Sequence, residues 1–139
     1  MKTVMLTAAV VLAMPAFAFA RDKCWANAKT QAAMNECAYA SFKKSDKKLN
    51  ELYKQIEARL KDDADTNKLL VQAQRDWVKF RDSECDFQTA GAAGGSVRPM
   101  LVAMCMDNLT KSRIKDFGGY LKCEEGDLSC PVPAGRPRQ

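Results

Sequence analysis

The chain has 139 residues, 47% of them apolar and 28% charged, with a net charge of +5 at neutral pH. That is one domain's length at ordinary globular composition, which excludes a disordered chain, a multi-span membrane protein and a second sizeable core. There is no histidine, so the commonest general base, every His-dependent triad and the Cys/His zinc sites are excluded too.

The first twenty residues read as a processing signal. Lys2 supplies a basic start, Val4 to Met14 an apolar stretch shorter than a bilayer span, and Ala18-Phe19-Ala20 a small-x-small cleavage site. Cleavage after Ala20 is expected, leaving a periplasmic or secreted protein. Arg21, Asp22 and Lys23 stand between the cut and Cys24, so no stable lipid or membrane anchor is expected. The chain divides into a leader (1–20), a helical domain (21–119) and a tail (120–139).

All six cysteines, Cys24, Cys37, Cys85, Cys105, Cys123 and Cys130, follow the cut. An even number in a short exported chain points to three disulfides, and the oxidising compartment disfavours thiolate metal ligands. Nearest neighbours are the favoured pairs: Cys24–Cys37 ties the arm to the first helix, Cys85–Cys105 spans a glycine-rich turn, and Cys123–Cys130 closes the tail. No metal or cofactor is expected.

From Thr30 to Leu60 there is no glycine or proline, and Met34, Ala38, Phe42, Leu49, Leu52, Tyr53, Ile56 and Leu60 recur at helical spacing. Lys43, Lys44, Lys47 and Lys48 fall on the other face, read as a solvated surface, with no nucleic-acid partner on the export route. The polar break Asp62 to Asn67 suits the N-terminus of a second helix; as a calcium loop it lacks the glycine and the bidentate glutamate, whose places Lys68 and Gln74 hold. Leu70, Ala73, Trp77 and Phe80 make the second stripe, which ends near Cys85 to Phe87 before the flexible run Gly91 to Gly95. Ser96 is the expected cap of a third helix, with Pro99 in its first turn, Val97, Leu101, Met104 and Leu109 inward, and an end between Lys115 and Phe117. Beyond Gly118-Gly119 the tail is stapled by its cysteines and then disordered from Pro131. The fold class is all-α: a small disulfide-braced bundle of three main helices with a stapled C-terminal tail.

Polar residues interrupt these stripes at fixed spacing. Asp46, Leu49, Asn50 and Tyr53 share one helix face; Gln74, Trp77, Arg81, Asp82 and Cys85 share another. Cys105, Leu109, Thr110 and Arg113 complete the set. Polar groups on a core-facing stripe are costly unless paired. Asp46, Asn50, Tyr53, Gln74, Trp77, Arg81 and Arg113 are therefore expected to form an interhelical network, with Asp46 the partner of Arg81.

Together these pieces, C-x(12)-C ahead of D-x-x-L-N-x-x-Y, then Q-x-x-W-x-x-x-R-D-x-x-C, a G-G-S loop and C-x-x-x-L-T-x-x-R, resemble the LprI-like lysozyme inhibitor family from Cys24 to Arg113. The resemblance implies a small, exported, helical protein that binds and inhibits a muramidase without enzymatic activity of its own. The alternative is a periplasmic structural or accessory module that binds another envelope protein. An enzyme is the third reading: Glu84 with Asp82 or Asp86 would supply a carboxylate pair, but the sequence offers no convergent pocket for it. For the inhibitor, the Gly91 to Pro99 loop is the segment expected to enter a cleft.

Overall fold

The computed structural model describes residues 23–135; the expected leader and its cleavage site lie outside them, as do residues 136–139 of the tail. Four helices follow one another: α1 (Lys23–Asn27), α2 (Gln31–Arg59), α3 (Ala64–Gln88) and α4 (Arg98–Tyr120), with a single 3-10 turn (Ala90–Ala92) after α3. Among the described residues there is no strand, and no helix is long and apolar enough to cross a membrane. The expected all-α bundle of three long helices is what forms, with α1 as a short addition that periodicity did not reveal, since five residues carry too little pattern.

Local chemistry sets the helix ends. Thr30 Oγ1 accepts a hydrogen bond from the Ala33 amide at 3.2 Å and opens α2. Asp63 accepts from the Thr66 amide at 3.0 Å and opens α3; the Thr66 hydroxyl first, and this amide second, hold the Asp63 carboxyl below its usual pKa. Gly94, at φ +76°, supplies the left-handed residue of the turn into α4. Ser96 does not cap α4. Val97 occupies that position without a side-chain bond, while the Ser96 carbonyl accepts from Asn35 Nδ2 at 3.1 Å.

Directions follow from the cross-helix contacts. Gln31 meets Met100, Ser41 and Ser45 meet Asp107, and Arg59 donates to the Leu121 carbonyl at 2.9 Å, so α2 and α4 run parallel. Arg81 faces Asp46 and Gln74 faces Arg113, which makes α3 antiparallel to both. The tight seam is α2 on α4, where Ala38, Ser45, Ala103 and Thr110 are buried. Small side chains allow backbones to approach closely; α3 lies farther out because bulky groups fill the space beneath it.

The core gathers at the lower end: Leu49, Leu52, Ile56, Leu60, Phe117, Cys123 and Val132, with Tyr53, Leu70, Trp77, Ile114 and Tyr120 packed around them. The α2 stripe lies as expected from its spacing. On α3 the inward line runs through Leu70, Gln74, Trp77, Arg81 and Cys85, while Ala73 and Phe80 are exposed. On α4 Val97, Leu101 and Leu109 are half-buried as expected, but Met104 faces solvent, the buried positions are Ala103, Asp107, Thr110 and Phe117, and the helix runs on to Tyr120. In both cases polar residues held inward positions that an apolar-only pattern assigns to their neighbours.

The cysteines pair as Cys24 with Cys37, Cys85 with Cys105 and Cys123 with Cys130, at Cα separations of 5.7, 5.6 and 5.8 Å. The last bridge turns the chain back so that Val132, 4% exposed, plugs the base of the core and Gly135 packs on the Arg59 guanidinium. Disorder from Pro131 onward is thus corrected for residues 131–135: one apolar side chain, delivered by the staple, anchors them.

Candidate functional site

Between α3 and the α2–α4 pair, cations and rings alternate. The Arg81 guanidinium carbon lies 5.2 Å from the Phe42 ring centroid and 5.3 Å from that of Trp77; Arg113 lies 5.9 Å from Trp77 and 4.6 Å from Phe117. The resulting ladder, Phe42, Arg81, Trp77, Arg113, Phe117, draws on all three long helices. Guanidinium planes suit this place because they stack on rings and donate sideways at once.

The sideways partners are polar. Arg81 meets Asp82 Oδ1 at 2.9 Å and Asp46 Oδ1 at 3.6 Å, and its side chain is 9% exposed. Asn50 Nδ2 donates to Asp46 at 3.4 Å, at the wet edge. Arg113 Nε donates to Gln74 Oε1 at 3.3 Å, and its Nη1 lies 3.7 Å from Asp116. Tyr53 stands 6.3 Å from Phe117, ring to ring; burial raises its pKa, a hydrogen bond to Glu57 and that residue's charge add to the rise, and Arg75 opposes it. The structure thus brings Asp46, Tyr53, Gln74, Trp77, Arg81 and Arg113 into one layer and leaves Asn50 exposed at its rim. This layer holds α3 at its distance from α2.

Asp107 belongs to the polar interior as well, though the motif spacing does not single it out. It is 6% exposed, accepts hydrogen bonds from Ser41 at 2.8 Å and from Ser45, and meets Lys111 at 2.7 Å. Ser41 and Ser45, one turn apart beside the α2 stripe, were the available signal. Burial pushes the Asp107 carboxyl up, but the bonds from Lys111, Ser45 and Ser41 outweigh it and hold the pKa below the ordinary value. A depressed folded-state pKa adds stability that is full above about pH 4 and is lost as pH falls through the folded value. Asp107→Asn is expected to flatten the decline of stability with acidification, measured by denaturant midpoints at successive pH values between about 5 and 2.5; an unchanged slope would exclude Asp107 from acid unfolding.

The carboxylates considered for glycosidase chemistry are engaged individually. Glu84 accepts from Gln88 at 2.8 Å, Asp82 binds Arg81, and Asp86 meets Arg98 at 2.9 Å. The Arg98–Asp86 pair, together with the Asn35 bond to Ser96, clasps the glycine-rich loop onto the helix ends. Among the described residues no group of three or more His, Cys, Asp or Glu side chains could hold a metal. Beside the loop lies an apolar groove of about 530 Å³, lined by Tyr39, Phe42, Pro99, Val102 and Met106 with Arg98 at its rim.

Comparison with known proteins finds a family and two relatives. The family model described as Lysozyme inhibitor LprI matches residues 24–117. An uncharacterised protein of Rhizobium meliloti is 31% identical over 109 residues, covering 70% of this chain and 78% of its own length. An uncharacterised protein of Rickettsia conorii is 51% identical over 35 residues, 23% of this chain and 69% of its own. No solved structure matches the chain. With the family match running from the first cysteine to Phe117, through the whole of the ladder and the two disulfides around it, the chain belongs to the LprI lysozyme inhibitor family.

Proposed function

We propose that this chain is an exported, non-enzymatic envelope protein that binds a peptidoglycan-cleaving lysozyme and slows it by occupying its cleft. The observation that carries this reading is the family match over residues 24–117. The physical support is preorganisation: three disulfides, the ladder and a clasped loop leave little to order on binding, and a rigid surface loses less entropy on association. The groove formed by Tyr39, Phe42, Pro99, Val102 and Met106 beside the loop provides an apolar edge for the contact. Because the loop is fixed to α2 and α3, it would act with this groove as one rigid edge.

The mature, oxidised protein is expected to slow a muramidase on cell-wall substrate at close to one-to-one stoichiometry, without turnover of its own. Against a cationic lysozyme the chain's positive charge adds no long-range attraction, so added salt should weaken the complex little. A titration of animal-type, goose-type and bacterial muramidases in which none is slowed at micromolar protein would remove the inhibitor reading and leave an accessory binding module.

A further inference from the structure

The outer side of α2 and its junction with α3 carry a charge excess that the bundle does not use. Lys43, Lys47 and Lys54 line the back of α2, spanning 12 residues or about 16 Å of helix. Three of the carboxylates on this side are in ion pairs: Asp46 with Arg81, Glu51 with Lys48 and Asp76 with Lys79. Among the described residues, none lies within ion-pair distance of Lys43, Lys47, Lys54 or Arg75.

The shape beside the ridge narrows the choice of ligand. Because α3 stands off from α2, a groove of about 460 Å³ opens between them, with Tyr53, Val71 and Val78 at its apolar base and Arg75 and Lys79 on its α3 wall. A second depression lies on α2, lined by Lys43, Lys44, Lys47 and Lys54 together with Asp46, Asn50 and Glu51, so that four cations face two carboxylates there. Arg75 and Lys79 on the α3 side of this apolar groove and the lysine ridge on α2 together suit an extended anionic strand that carries small apolar groups. In the compartment to which a leader directs the chain, the polymer with that chemistry is the cell wall itself, whose peptide stems carry free carboxylates beside methyl groups.

We infer that the α2–α3 groove and lysine ridge bind the carboxylate-bearing peptide stems of the cell wall, holding the protein on the polymer that muramidases attack. This site is separate from the loop-end groove, and it rests on the proposed export and not on inhibition. Long-range attraction gathers the cationic face to the wall, and the apolar base adds contact area.

Co-sedimentation of the oxidised mature protein with purified sacculi tests it. Binding is expected at low ionic strength and should fall steeply with salt. Lys47→Gln, Lys54→Gln and Arg75→Gln together should weaken it about tenfold, whereas Lys29→Gln, Lys115→Gln and Lys122→Gln, the same loss of charge elsewhere, should leave it within about twofold. Sacculi whose carboxylates have been amidated should bind wild-type protein no better than the first triple variant, an arm that does not depend on any variant folding. Equal binding to amidated sacculi, equal loss in both triple variants, or no co-sedimentation would overturn the inference; so would equal binding to anionic phospholipid vesicles, which would assign the ridge to a membrane surface. Inhibition of a muramidase on a short oligosaccharide free of peptide stems should be the same for wild type and the first triple variant, so failure of the inhibitor reading remains distinguishable.

Discussion

Phe117→Ala is expected to cost about 4 kcal/mol of folding stability, the largest effect of any single truncation in the bundle. The ring is fully buried at the lower end of α4, 6.3 Å from Tyr53 and 6.1 Å from Tyr120, with Arg113 over its face at 4.6 Å. Leu49, Leu52, Ile56, Leu60 and Val132 close the same cluster. Removing the ring leaves a void between helices that three disulfides hinder from collapsing, and it strips one face from Arg113. Phe117→Leu, which keeps most of the volume, should cost under about 1.5 kcal/mol. Urea unfolding with an unchanged m-value checks both; a loss below about 1.5 kcal/mol for the alanine variant would show that the cluster repacks.

Arg81→Ala comes next, at about 3 kcal/mol. Loss of one partner of a buried pair costs about 3–5 kcal/mol, and here the figure falls at the low end because Asp46 and Asp82 keep 30% and 48% of their exposure and can hydrate once freed. Part of the loss is packing between Phe42 and Trp77, so Arg81→Met should recover about half of it. Asp46→Asn should cost under about 1 kcal/mol, since Asp82 remains on the guanidinium. Denaturant midpoints of the three variants separate these contributions. If alanine and methionine prove equally harmful, the charge and not the stacking holds α3 in place.

Much of this was legible from side-chain spacing. The eight-residue apolar stripe of α2, uninterrupted by glycine or proline, placed that helix to within a residue, because a long amphipathic period leaves few alternatives. Arg81 facing Asp46 followed from the cost of leaving a charge unpaired on a buried stripe. The faces of α3 and α4 were harder to read. With Gln74, Arg81 and Asp107 pointing inward, an apolar-only period selects Ala73, Phe80 and Met104 instead, and all three are exposed.

What the amino-acid sequence determined by itself was local: the span of α2, the carboxylates at the start of α3, the breaks between the long helices, and the cysteines available for nearest-neighbour pairing. These depend on interactions within a few residues along the chain. Tertiary structure alone decided the parallel α2–α4 seam, the standoff of α3, the burial of Asp107 under two serines, the return of Val132 into the core and the groove left between α2 and α3. Each depends on side-chain volumes meeting across helices: alanine and serine let α2 and α4 close up, whereas arginine stacked on tryptophan and phenylalanine keeps α3 at arm's length.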